Sequence, residues 1–165
     1  MPDLESILSE YPVLDLLKPD LELEHRNDGL WVKDRIRKSW LKLTPEEWVR
    51  QHAIYWLIKI TEFPEGLLSI ERSFSNRSLQ RADIVGFGRN GNPFLLVECK
   101  AAYEPINSET ARQALQYNKE VKAPFVWLTN GLSHTVLGIL ENGHFEPIQK
   151  LPKFEEMADY KIKKD

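Results

Sequence analysis

Three charged residues, Asp83, Glu98 and Lys100, sit at the ends of two apolar runs within the stretch RADIVGFGRNGNPFLLVECK, residues 81–100. Side chains alternate along a strand, so Glu98 and Lys100 point one way while Val97 and Cys99 point the other. The Asn90-Gly91 pair between the runs signals a tight hairpin turn. Eight residues out from Asp83 to Gly91 and seven back to Glu98 set Asp83 opposite Glu98 or its neighbour. Two carboxylates and an ammonium then share one patch at the edge of a sheet. Adjacent carboxylates resist joint ionisation unless a cation lies between them. Hard oxygen ligands of this kind suit Mg²⁺ or Mn²⁺, an ion that polarises a phosphodiester and acidifies water, with Lys100 placed to stabilise the charge that builds on the phosphorus. The competing reading is an ion pair of Lys100 with Glu98 or Asp83 at a strand end. On these three residues alone both readings stay open.

The surrounding elements decide whether the patch can form. TPEEWVRQHAIYWLIKI predicts the clearest helix, with Thr44 as N-cap, Pro45 at the first helical position and Glu47 completing a capping box; Pro64 and Gly66 end it. LLSIERSF, RADIVGFG and PFLLVECK predict three strands, NSETARQALQYNKEV a helix capped by Asn107 or Ser108, and APFVWLTN a strand covered on both faces. SHTVLGIL and HFEPIQ form a closing hairpin, and LELEHRNDGLWVKD a further hairpin around Asn27-Asp28-Gly29. A strand–helix–strand step requires a parallel crossover, whereas the Asn-Gly hairpin requires an antiparallel pair. The expected fold is α/β, a mixed β-sheet flanked by helices. One domain is expected over residues 1–165: an N-terminal arm and hairpin (1–43), a core (44–150) and a charged, fraying tail (151–165).

Gln113 and Tyr117 lie four residues apart on the helix after Lys100, hence on one face; by themselves they read as a solvated amide and a core tyrosine beside Ala114. Taken together, RADIVGF, LLVECKA, RQALQYN and WLTNG resemble the PD-(D/E)XK nuclease superfamily, in the branch with a Q-x-x-x-Y helix. WVKDRIRKSWLKLTPEEWVRQH resembles the N-terminal domain of type I restriction enzyme R subunits, and the likeness runs from about residue 30 to about residue 140. The resemblance implies a restriction-endonuclease-like core that cleaves DNA with Mg²⁺ or Mn²⁺. It implies Asp83 and Glu98 as metal carboxylates, the main-chain carbonyl of Cys99 as an extra ligand, and Lys100 as the catalytic lysine. Gln113 and Tyr117 steady the site and contact the DNA backbone. An acid from the first helix, Glu47 or Glu46, is a further metal candidate; Arg50 and Arg81 are candidate phosphate contacts. The proline expected before the aspartate is Ala82 here. No Gly-x-x-x-x-Gly-Lys-Ser/Thr segment is present, so ATP-driven translocation is not expected of this chain. DNA and other restriction or repair subunits are the implied partners, and a homodimer is one way to cut both strands. The alternative is a non-catalytic DNA-binding or subunit-docking module of the same fold.

Bulk composition agrees. The 165 residues are 42% hydrophobic and 28% charged, as in an ordinary globular domain. No run of 18 apolar residues and no basic-then-apolar leader is present, so a cytoplasmic protein without a membrane span is expected. The lone cysteine, Cys99, excludes an internal disulfide and a thiolate zinc cluster, and its side chain is expected to face the core rather than act as a nucleophile. Net charge is -3, but residues 1–30 carry -6 and residues 31–122 carry +4, so the basic surplus lies with the Asp/Glu/Lys set. Arg35, Arg37, Lys38, Arg72 and Arg77 are further phosphate-contact candidates. Trp48, Trp56 and Trp127 are expected in the core, His52 in packing, and Trp31 and Trp40 in a charged hairpin.

Overall fold

A short helix, α1 (Leu4–Leu8), leads into a three-stranded antiparallel sheet of β1 (Leu23–Arg26), β2 (Gly29–Lys33) and β3 (Trp40–Lys42). The computed structural model describes residues 3–72 and 81–160. As expected, Asn27 and Asp28 turn the first hairpin, and Gly29 takes a φ of 131° that a side chain would resist.

Helix α2 (Pro45–Lys59) follows. Thr44 accepts a hydrogen bond from the Glu47 N–H at 3.1 Å and Pro45 occupies the first turn, as the sequence predicts. The other half of the capping box does not form: the Thr44 N–H donates to the Lys42 carbonyl at 3.0 Å, and the Glu47 carboxylate is drawn away to Arg37 and Arg50. Every residue from Glu47 to Ile54 is buried. A helix covered all round must satisfy each polar group it buries, and that requirement shapes one side of the candidate site.

Strands β4 (Leu68–Arg72), β5 (Ala82–Phe87), β6 (Pro93–Cys99), β7 (Phe125–Thr129), β8 (His134–Ile139) and β9 (Phe145–Ile148) form one six-stranded sheet in sequence order. All neighbours are antiparallel except β6 and β7, which the crossover helix α3 (Ser108–Val121) makes parallel. Mixed α/β architecture is thus what the chain adopts. Asn107 caps α3 with a complete capping box through Thr110, and Lys122 ends it in the left-handed region at φ 61°.

The two faces of the sheet carry separate cores. Ile84, Leu95, Val97, Cys99 and Trp127 pack with Val49, Ala53, Ile54 and Leu57 on the α2 side. Ala82, Val85, Leu96, Val126 and Leu128 pack with Ala114, Tyr117 and Val121 on the α3 side. The alternation along β6 puts Glu98 in step with Leu96, towards α3. The presumed charged tail is a correction within the described residues: Leu151, Phe154 and Met157 are buried, the last two on a short helix α4 (Phe154–Met157), while Glu155 and Glu156 between them face solvent. No helix among the described residues is long and apolar enough to cross a membrane.

Candidate functional site

The β5–β6 register pairs Ile84 with Val97, so one step further along both strands Asp83 lies beside Glu98, as the hairpin count predicts. Asp83 is buried, and its Oδ2 accepts the Cys99 N–H at 2.7 Å while its Oδ1 accepts from Arg50 at 2.6 Å. Glu98 is partly buried. Burial, the charge of Asp83 and a side-chain hydrogen bond to Asp83 push the Glu98 carboxyl up to about 9, against a weaker downward pull from Lys100. Glu98 therefore keeps its proton at neutral pH, while Asp83 is paired with Arg50. Cys99, beside them, faces the α2-side core; burial pushes its thiol well up, so it is no nucleophile.

On the α3 side a cavity of about 160 Å³ is lined by Arg81, Glu98, Lys100, Thr110, Gln113, Ala114 and Tyr117. Five of these seven are site candidates from the sequence; Thr110, which caps α3, and Ala114 are not. Gln113 is exposed and donates to Glu109 at 3.3 Å, and Tyr117 is buried against the α3-side core, so the structural reading of each residue holds while both also line the cavity. Arg81 is exposed at the mouth. Among the described residues no carboxylate comes within ion-pair distance of the Lys100 ammonium, so the simple strand-end ion pair is not formed.

The α2 side is organised differently. Arg50, 4% exposed, donates to Asp83, to Glu47 at 2.5 Å and to Glu46 at 3.0 Å, and stands 3.5 Å from Glu71. Arg37 joins Asp34, Glu47 and Glu71 at 2.9–3.0 Å, and Gln51 donates to both Asp34 and Glu47. Asp34 is fully buried; despite that burial, the Arg37 side chain and main-chain N–H hold its carboxyl below the usual range. Glu71 reaches the cluster from a left-handed backbone at φ 51°, a conformation that costs a non-glycine residue about 1 kcal/mol or more. Glu47 and Arg50, the sequence candidates for a metal carboxylate and a phosphate contact, are thus held by one another. Glu46 is the acid of α2 that faces the Asp83 patch: burial and the Asp83 charge raise its carboxyl, and Arg50 and Lys100 lower it. Arg35 pairs with Glu65, and Arg77 lies outside the described residues. His52 packs on Trp48, while Trp31 and Trp40 flank Arg26 on the small sheet.

The family model for the type I restriction enzyme R protein N terminus (HSDR_N) matches residues 45–152. The chain belongs to that family. The segment shared with the R-protein N termini starts at the first residue of α2 and takes in Glu46, Arg50, Asp83, Glu98, Lys100, Gln113 and Tyr117, leaving the three-stranded sheet outside. Among solved structures, one similar chain is a fragment described as an HsdR subunit of a type I restriction enzyme from Vibrio vulnificus YJ016, 20% identical with a TM-score of 0.49. The match covers 71% of this chain and 25% of that one, so the chain spans about a quarter of its length. No curated protein matches the chain.

Whether these residues suit a divalent cation follows from the donor set. Among the described residues no group of three or more His, Cys, Asp and Glu side chains is arranged around a common point. Two hard carboxylates side by side, with open space against Glu98, fit an ion that keeps most of its waters, as Mg²⁺ does.

Proposed function

We propose that the chain is a metal-dependent deoxyribonuclease domain of the PD-(D/E)XK type, acting on DNA as part of a type I restriction assembly. The observation that carries this reading is the cavity in which Glu98, neighbour of the buried Asp83, meets Lys100 and the Gln113–Tyr117 face of α3. Asp83 and Glu98, with the Cys99 main-chain carbonyl, would hold Mg²⁺ or Mn²⁺. The bound ion supplies neutralisation of the scissile phosphate and acidification of a water. The chain does the positioning. The Cys99 N–H anchors one oxygen of the Asp83 carboxylate, the end of β6 and the residue after it bring Glu98 and Lys100 to one cavity, and Lys100 Nζ would donate to an oxygen of the phosphate as its charge increases. Arg81 at the mouth and the exposed Gln113 amide contact neighbouring phosphates, which places the strand without reading its sequence. Tyr117, packed at its base, gives the cavity a rigid wall.

The test is cleavage of supercoiled and single-stranded DNA by the purified chain with Mg²⁺ or Mn²⁺, beside Glu98→Ala and Lys100→Ala. Nicking that disappears in both variants, with their circular dichroism unchanged, is the expected result. Cleavage that persists in Glu98→Ala would sink the assignment.

A further inference from the structure

Nearly all of the Arg50 surface is buried, and four carboxylates converge on its two terminal nitrogens. Nη2 bonds Asp83 Oδ1 at 2.6 Å and Glu46 Oε1 at 3.0 Å; Nη1 bonds Glu47 Oε2 at 2.5 Å and stands 3.5 Å from Glu71 Oε1. Its Nε–H, also buried, has no hydrogen-bond partner among the described residues, so the guanidinium forgoes one bond to reach these acids. Glu71 adopts a left-handed backbone to take its place in the group. Arg50 thus meets four carboxylates with one positive charge, and Asp83 is only one of them.

Resting on the nuclease reading above, we infer that Arg50 is the resident cation of the Asp83–Glu98 site: it holds Asp83 in place before a divalent ion arrives, and loading the ion shifts the Asp83 carboxylate from the guanidinium to the metal while Arg50 stays bound to Glu46, Glu47 and Glu71. Three features support this. Asp83 is the residue shared by the two sides, touching Arg50 through Oδ1 and Cys99 through Oδ2. The Arg37 guanidinium binds Glu47 and Glu71 independently, so these acids stay anchored however Arg50 adjusts. A fixed charge that neutralises Asp83 also lowers the attraction of the site for a second cation, which makes ion affinity a readout of Arg50. Arg50 is therefore a positioning residue that sets how readily the site loads.

The experiment is calorimetric titration of Mn²⁺ into the full chain, its Arg50→Gln and Arg50→Lys variants and Glu98→Gln, with thermal melts in the presence and absence of Mn²⁺. Arg50→Gln keeps a hydrogen-bond donor for Asp83 but not the charge; it should bind Mn²⁺ at least about tenfold more tightly and gain more in melting temperature than wild type. Arg50→Lys keeps the charge and should stay within about threefold of wild type. Should Arg50→Gln fail to fold alone, Mn²⁺ is expected to restore its circular dichroism, and failure to do so overturns the inference. If wild type binds Mn²⁺ through Glu98 but Arg50→Gln binds no more tightly, Arg50 is not the resident cation and the nuclease reading stands. If neither binds, both readings fall together.

Discussion

Asp83 divides two charged regions that follow opposite rules. On its α2 side, Asp34, Glu47, Glu71, Arg37, Arg50 and Gln51 form a closed network in which the buried carboxylates are met by guanidinium or amide donors. On its α3 side, Glu98 keeps a proton because burial and the charge of Asp83 outweigh the pull of Lys100, and among the described residues no acid stands within ion-pair distance of Lys100. Burial of charge is costly in both places. Where it is fully paired the outcome is rigidity; where it is left over, the outcome is a site with a binding energy still to be gained. The contrast explains why equally acidic residues of one helix and one hairpin have different tasks.

The comparison is most severely tested from the closed side. Asp34 accepts the main-chain N–H of Ile36 and Arg37 and the side chains of Arg37 and Gln51, all in a place with no solvent access. Asp34→Ala is expected to lower unfolding free energy by about 3–5 kcal/mol, since it strands two main-chain N–H donors and takes a buried carboxylate from Arg37 and Gln51. Urea denaturation measures this, and a loss within error of zero would show that the network is not structural.

A smaller change of the opposite sign is expected on the open side. The native state keeps a Glu98 proton up to about pH 9, whereas the unfolded chain releases it near the ordinary value of 4.5. Folding stability due to Glu98 is therefore full below the unfolded value and is lost as pH rises towards 9. Glu98→Gln should be more stable than wild type at pH 8, by about 1 kcal/mol or more, with the gap closing at pH 4. Melts across pH 4–9 that ran parallel for the two proteins would contradict the protonated pair. Smallest in stability is Gln113→Ala: the amide is exposed, with one long bond to Glu109, so the melting temperature should not move while DNA cleavage weakens several-fold, on the order of 1 kcal/mol of transition-state contact. Equal loss of stability and activity would assign Gln113 to the helix rather than the substrate.

Much of the open side was legible in the chain because its logic is local. Counting through Asn90-Gly91 aligns Asp83 with Glu98, the period of two turns Glu98 and Lys100 to one face, and the period of 3.6 unites Gln113 with Tyr117. Caps at Thr44 and Asn107 and the Asn27-Asp28-Gly29 turn were readable for the same reason. The closed network was not. Its partners are up to 34 residues apart, as Arg37 and Glu71 are, and ion pairing across elements has no sequence period. Glu47 illustrates the cost: three residues from a threonine cap it looks like a capping-box acid, but Arg37 and Arg50 together outbid one main-chain N–H. Phe154 and Met157 were missed because three charges within KFEEM, at Lys153, Glu155 and Glu156, conceal a one-turn apolar pair at i and i+3.

The measurement closest to the centre of the account is proton release on Mn²⁺ binding, obtained by calorimetry at pH 7.5 in two buffers of different ionisation enthalpy. A cation that enters between Asp83 and Glu98 must displace the Glu98 proton. Release of about one proton per ion, abolished in Glu98→Gln, is the result predicted. Binding without proton release, or binding unaffected by Glu98→Gln, would contradict it.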